Sequence, residues 1–218
     1  DAATRTVATT VKVGVGPVGV AVDPVAGTAW VANSGIREVS VISAAARDVV
    51  ASVAVGAGPR QLAIDPASGL VYVANTEEDS LSVIDGRSLF VMDMVGLWAR
   101  PHGVAFEKAG GRVFVTNSEA GSTEVIDPTS PQGRFTVGAR PMSAAVDEGI
   151  GMVYVANWGT NTVTVVEARS RRWWNTVTVG KRPYDVAVDQ QARAVYVSNW
   201  ADGTVSVIDA NSRKVLHT

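Results

Sequence analysis

The chain has no cysteine. That one absence removes a disulfide framework, a thiolate metal site and a cysteine nucleophile. Histidine is nearly as scarce, with two in 218 residues, so metal binding or acid–base chemistry would have to draw mainly on carboxylates. No excess of one charge exists either. The 19 Lys and Arg stand against 21 Asp and Glu, a net charge of −2, which gives no global field for nucleic acid or an anionic membrane. No apolar run approaches the length of about eighteen residues that a membrane-spanning helix needs. The G-x-S-x-G, Walker, H-E-x-x-H and C-x-x-C patterns are missing. GVGPVG (14–19) holds glycines but leads into a strand-like run, so it is no phosphate loop. The first residue is Asp1, without Met or a signal sequence, as in a mature secreted form, a trimmed chain or a fragment.

What the chain does have is repetition. Prolines fall at Pro17, Pro59, Pro101, Pro141 and Pro183, with spacings of 42, 42, 40 and 42. Asn33, Asn75, Asn117, Asn157 and Asn199 keep the same four spacings. Each unit carries four short runs, in the second unit QLAIDP, LVYVAN, SLSVID and FVMDMVGL. They are rich in Val, Ile, Leu and Tyr and are bounded by Gly, Pro, Asp and Asn. Several are apolar with little alternation, which suggests sheets covered on both faces, and helical periodicity is absent. Four strands per period of about 42 residues is the signature of a propeller blade. The expected fold is an all-β propeller of five four-stranded blades, one domain over 1–218, with repeats starting near 17, 59, 101, 141 and 183.

The runs P-x-G-V-A-V-D-P, V-Y-V-A-N and T-V-S-V-I-D resemble the YVTN-type β-propeller repeat. The third unit reads RVFVTN, while the fourth departs with SAAVDE. The resemblance spans essentially the whole chain. It implies an exported protein, extracellular, periplasmic or at the cell surface. The matching residues are blade-builders, so the motif speaks for the fold more than for a function. Together with the missing catalytic motifs it suggests a non-enzymatic binding or scaffold module. The alternative is a propeller enzyme of lactonase or lyase type with its site at the channel mouth. No cofactor, metal or nucleic-acid partner is expected.

Both termini carry one strand pattern. Residues 1–14 align with 43–56, the fourth strand of a blade, and 209–218 align with the first ten of those positions. The expectation is that residues 1–14 close the last blade, near 204–209. The alternative is that the chain is part of a larger, seven-bladed propeller, which the resemblance commonly implies.

The repeated Asp and Asn residues at strand ends suit turn chemistry. Read functionally, they would be a ring of oxygen ligands for a cation. A binding site is better sought where the repeats differ. Around the prolines stand Arg60, Arg100, His102, Arg140, Arg182 and Tyr184, and after the Asn come Trp158 and Trp200. Arg suits carboxylate, phosphate or sulfate, and the aromatics suit a sugar ring or a protein side chain. The expected ligand is therefore a protein, a glycan or another anionic group on this loop face. The competing readings are a solvated arginine rim paired to Glu77, Glu78, Asp79 or Glu119, and indoles that merely cover blade ends. RSRRWWNTV (169–177) offers a second patch on an outer strand, where strand alternation expects one of Trp173 and Trp174 to pack inward.

Overall fold

The computed structural model describes residues 4–127 and 130–218. Residues 1–3 of the expected closing strand lie outside it. Among the described residues the Val-rich runs form twenty strands. The first unit holds β1 (Pro17–Asp23), β2 (Thr28–Asn33), β3 (Glu38–Ser43) and β4 (Asp48–Ala54), and the second β5 (Pro59–Asp65), β6 (Leu70–Asn75), β7 (Ser80–Asp85) and β8 (Phe90–Gly96). The third holds β9 (Pro101–Glu107), β10 (Arg112–Asn117), β11 (Ser122–Asp127) and β12 (Ser130–Thr136). The fourth has β13 (Pro141–Asp147), β14 (Met152–Asn157), β15 (Thr162–Glu167) and β16 (Trp173–Thr178), and the fifth β17 (Pro183–Asp189), β18 (Ala194–Asn199), β19 (Thr204–Asp209) and β20 (Val215–His217). Each unit is one antiparallel sheet with its strands in sequence order. This is the expected all-β propeller with five four-stranded blades. Among the described residues no helix is long and apolar enough to cross a membrane.

Local chemistry sets the strand ends. Asp23 Oδ1 accepts the amides of Val25 and Ala26 at 2.9 and 3.0 Å, and Asp189 Oδ1 accepts those of Gln191 and Ala192 at 2.9 Å. These are Asx turns, in which a short carboxylate replaces a backbone acceptor. The Asn at the end of the second strand is buried in all five units and, in every unit but the third, donates within its own sheet. Asn33, Asn75, Asn157 and Asn199 donate through Nδ2 to Ser40, Ser82, Thr164 and Ser206 at 2.8–2.9 Å. Both sets are thus engaged in building blades.

The core lies between blades. Four apolar clusters fill the four junctions of consecutive units. A large aromatic, Trp30, Tyr72, Phe114 or Tyr154, reaches from each second strand into the next junction and is at most 9% exposed. Tyr154 also donates its hydroxyl to the Ala210 carbonyl of unit 5 at 3.3 Å, and burial pushes its pKa up to about 12. In unit 5 the same position is Tyr196, which is 40% exposed, and Val205 is 51% exposed where its counterparts Val39, Leu81 and Val163 are fully buried. At the other end, Val20 is 67% exposed, while Leu62, Val104, Ala144 and Val186 at that position are 6–7% exposed. The first and last blades therefore do not cover one another.

Two expectations are corrected. The fourth strand of the last blade is β20, which pairs with β19 through Val207↔His217 and Ile208↔Val215. Residues 4–14 form no strand. Their pattern fits a fourth strand, but the local C-terminal segment takes that edge through a short turn, which is entropically cheaper than recruiting a distant one. Trp173 and Trp174 are both exposed. A register shift in the β15–β16 pairing puts Trp173 opposite Val166 and Asn175 opposite Val165, so strand alternation breaks at Trp174. Its indole instead lies under the Arg213 guanidinium of unit 5, 4.7 Å from the ring centroid.

The junction geometry makes a contrast testable by urea denaturation. Tyr154→Ala is expected to cost about 3–5 kcal/mol, as for a fully buried aromatic. Tyr196→Ala, the same position without a neighbour, is expected to cost less than about 1 kcal/mol. Equal losses would show that the last blade face is covered in solution.

Candidate functional site

The loop face is built by one backbone bond repeated in every unit. The residue after each Asn donates its amide to the carbonyl of the residue before the next-named proline of its own unit. Ser34, Thr76, Ser118, Trp158 and Trp200 thus bond Gly16, Gly58, Arg100, Arg140 and Arg182 at 2.8–3.0 Å. The acceptor residues all have φ between 50° and 67°. Glycine adopts that region freely, whereas an L side chain there costs of order 1 kcal/mol. Three arginines occupy it, so the repeat carries a small conformational cost at Arg100, Arg140 and Arg182.

The same bond brings Arg140 beside Trp158 and Arg182 beside Trp200, and the blades bring these pairs together. The Trp158 and Trp200 ring centroids are 5.3 Å apart at a 34° tilt. Arg182 Cζ lies 5.4 Å from the Trp158 centroid and 5.9 Å from that of Trp200, within cation–π range. Tyr184 meets Trp158 edge-on at 6.0 Å and His102 edge-on at 5.7 Å. A cleft of about 400 Å³ adjoins this cluster, lined by Arg100, Ser118, Glu119, Arg140, Met142 and Trp158. Arg100 pairs with Glu119 at 3.5 Å, one of the rim ion pairs the sequence allowed. Among the described residues, Arg140 and Arg182 form no ion pair.

His102 is buried, and its Nδ1 lies 2.8 Å from the Met142 carbonyl of the next blade. The carbonyl can only accept, so Nδ1 carries the proton and Nε2 is the free acceptor. Burial lowers the pKa to about 4, with the charge of Arg60 contributing. Arg60 is half-buried, and its Nε is shielded from solvent without a hydrogen-bond partner. On the axis, Ser143 Oγ donates to Asp185 Oδ1 at 2.5 Å and Gln61 Nε2 donates to the same oxygen at 3.2 Å. All eight residues expected from the sequence therefore belong to one face. Trp158, Trp200, Tyr184, Arg182 and His102 form a contiguous cluster, Arg100 and Arg140 line the adjoining cleft, and Arg60 lies near enough to His102 for its charge to act there. Among the described residues no group of three or more His, Cys, Asp or Glu is placed to hold a metal ion.

The structure adds residues that the sequence reading passed over. Trp98 occupies the position held by Gly14, Gly56, Gly138 and Gly180 in the other units, and Glu124 that of Ser40, Ser82, Thr164 and Ser206. The two exceptions are coupled. Glu124 Oε1 accepts the Trp98 amide at 3.1 Å, where Ser206 Oγ accepts that of Gly180 at 3.2 Å. Burial raises the Glu124 pKa, and Arg134 lies over the exposed Trp98 ring at 4.4 Å. Comparing the repeats column by column would have exposed both.

No protein-family model matches the chain, and no curated protein matches it in sequence. Solved structures do. A streptogramin B lyase superposes with a TM-score of 0.81 at 10% identity, over 94% of this chain and 69% of that one. A functionally unknown protein from Desulfotomaculum acetoxidans DSM 771 superposes with a TM-score of 0.80 at 17% identity, over 94% and 70%. At such identities the likeness establishes the fold, a β-propeller, and the YVTN resemblance rests on the repeat motifs alone.

The buried His102 makes stability depend on pH in a definite direction. Its folded pKa lies below the ordinary 6.5, so the fold favours the neutral ring. That contribution is fully present above pH 6.5 and is lost as pH falls from there towards 4. Over that window the wild type is expected to lose up to about 3 kcal/mol relative to His102→Gln, read from urea curves at each pH. Parallel pH profiles would mean that His102 titrates in the fold as it does in the unfolded chain.

Proposed function

We propose that the chain is a non-enzymatic binding module that is exported and works at the cell envelope or outside the cell. Its loop face, across units 3 to 5, takes an anionic ligand with a flat apolar surface, such as an acidic sugar of a glycan or an acidic protein segment. One observation carries this reading. Two indoles from adjacent blades form a platform beside a cleft with arginines on its rim, and neither Arg140 nor Arg182 has an acidic partner among the described residues. The indoles supply area for stacking, and the guanidinium forks supply two-pronged contacts to carboxylate or sulfate. Export rests on the resemblance of the repeat.

An enzyme of lactonase or lyase type is the second reading. It is favoured by the polar Gln61–Ser143–Asp185 cluster on the axis close to His102, and one protein of similar fold is a streptogramin B lyase. The binding reading stands better because His102 is buried behind Tyr184 with Nδ1 already engaged.

A glycan array and a pull-down from envelope extract test the site. Trp158→Ala/Trp200→Ala is expected to weaken binding at least about tenfold, as loss of a stacking platform does. Arg182→Gln is expected to weaken it less and to flatten its salt dependence. Binding that survives the indole changes but disappears on replacing Trp173 and Trp174 would move the site to the outer rim. Turnover of a small lactone, abolished by His102→Ala, would replace the binding reading with the enzyme.

A further inference from the structure

The outer rim carries a groove between units 3 and 4. Its volume is about 350 Å³, and it is lined by five threonines with Trp173, Val137 and Gly138. Among the described residues no ionisable side chain lines it. Thr164 is buried at its floor, Thr162 is half-buried, and Thr136, Thr160 and Thr176 stand exposed on its walls. Strand pairing builds this hydroxyl surface. The β15–β16 register sets Thr164 opposite Thr176 and Thr162 opposite Thr178, and strand alternation turns all four to one face. Asn157 Nδ2 donates to Thr162 and Thr164 at 3.2 and 2.8 Å. Trp173 Nε1 donates to Thr176 Oγ1 at 3.4 Å. A hydroxyl oxygen that accepts in this way keeps its own proton to give.

Unit 4 departs from the other units at these positions. Trp173 stands opposite Val166, where units 1, 2 and 5 set Val49, Val91 and Val215 opposite Ile42, Ile84 and Ile208. The column of Thr176 holds Ser52 in unit 1, Met94 in unit 2 and Arg134 in unit 3. Met94 Sδ lies 3.4 Å from Ser82 Oγ, over the hydroxyl that matches Thr164. In unit 3 the column of Gly138 holds Trp98, and Arg134 lies over its indole. Unit 4 combines the short Thr176 and Gly138 with the large Trp173, so the space stays open and gains an aromatic wall. That wall is also uncovered. Trp98 and Trp174 lie under Arg134 and Arg213 at 4.4 and 4.7 Å. Among the described residues no guanidinium lies over the exposed ring of Trp173.

We propose that this groove binds a neutral sugar unit of a glycan, with the sugar's C–H face stacked on Trp173 and its hydroxyls bonded to Thr162, Thr164 and Thr176. The lining chooses the ligand by chemistry. Without a cation or a carboxylate it offers a charged ligand no partner for the charge it would desolvate. A floor of hydroxyls covered by a lipid chain would lose its hydrogen bonds to water and gain none. A pyranose carries an apolar face and a ring of hydroxyls, which match an indole and a set of threonines. The outer strands β12 and β16 supply Thr136, Trp173 and Thr176, so the groove opens on the rim, where an internal unit of a long chain can enter. Its volume is at the small end for ligand clefts, which suits one unit of such a chain. Neither Trp158 nor Trp200 lines it, and the proposal does not rest on the loop-face reading.

The test is affinity electrophoresis of the 218-residue chain in native gels that contain an uncharged glucan, mannan, galactan or xylan. Binding shows as retardation, and its dependence on polysaccharide concentration gives a Kd. At least one of these polymers is expected to retard the wild type, and equally at low and high salt, because no charged group lines the groove. Trp173→Ala is expected to weaken binding at least about tenfold, as loss of a stacking surface does. Thr176→Val is expected to weaken it about threefold to tenfold, through loss of one hydroxyl. Thr176→Met introduces the side chain that unit 2 accommodates at Met94. It is expected to close the groove and abolish retardation while leaving the urea midpoint in place. Trp158→Ala/Trp200→Ala is expected to leave retardation unchanged. Retardation by none of the four polymers would overturn the proposal. So would retardation that fades with salt, that survives Trp173→Ala or Thr176→Met in a folded protein, or that depends on Trp158 and Trp200 instead. Capture of a protein from envelope extract that withstands enzymatic removal of glycans, yet is lost with Trp173→Ala, would seat a protein segment in the groove and overturn it too. Neutral polysaccharides report on this groove and acidic ligands on the loop face, so failure of one reading is told apart from failure of the other.

Discussion

Everything in this structure depends on the face-to-face contact between consecutive sheets. A single four-stranded blade with Val, Ile and Tyr on both faces has no way to bury them within itself. Stacking solves this for one blade only by exposing the next, so stability accrues junction by junction. The fully buried residues Val73, Val115, Val155 and Val197, one per interior junction, carry that contact on one side. The aromatics Trp30, Tyr72, Phe114 and Tyr154 carry it on the other. The Asx turns and the Asn bonds then serve the stacking, because a sheet whose strand ends wander cannot present a flat face.

This constraint also explains where chemical variety can appear. The strands are held to a narrow set of residues by packing on two sides. The loops between units are tied by a backbone amide-to-carbonyl bond that is indifferent to side chain, and so Gly, Arg, Ser and Trp can exchange there without disturbing the blades. Arg140, Trp158, Arg182 and Trp200 all stand on atoms of that one bond. The platform is therefore a property of adjacency: each indole is unremarkable alone, and the 5.3 Å pair exists because two blades pack side by side.

Much of this was legible in the sequence, for physical reasons that can be named. The Pro and Asn columns mark strand boundaries because their backbone demands recur in each unit, and they gave the number and order of blades and the face on which the divergent residues sit. The closing strand was misassigned because residues 4–14 and 209–218 carry the same pattern, and a pattern says nothing about which copy wins an edge. Trp173 and Trp174 were misread because a register shift has no signature in alternating hydrophobicity. His102 is buried with its Nδ1 against a carbonyl forty residues away, a contact between neighbouring blades that is invisible to local reading. Trp98 and Glu124, by contrast, were visible all along as paired departures from the repeat.

The indole pair straddles the junction of units 4 and 5, where the two sheets pack through Tyr154, Val186 and Val197. A ligand gripping both rings therefore acts as a staple across a seam. It can bind both rings only while unit 5 is docked on unit 4, and by linkage its binding energy tightens that docking by the same amount. Occupancy of the indole pair and closure of the seam between units 4 and 5 are then two measures of a single equilibrium.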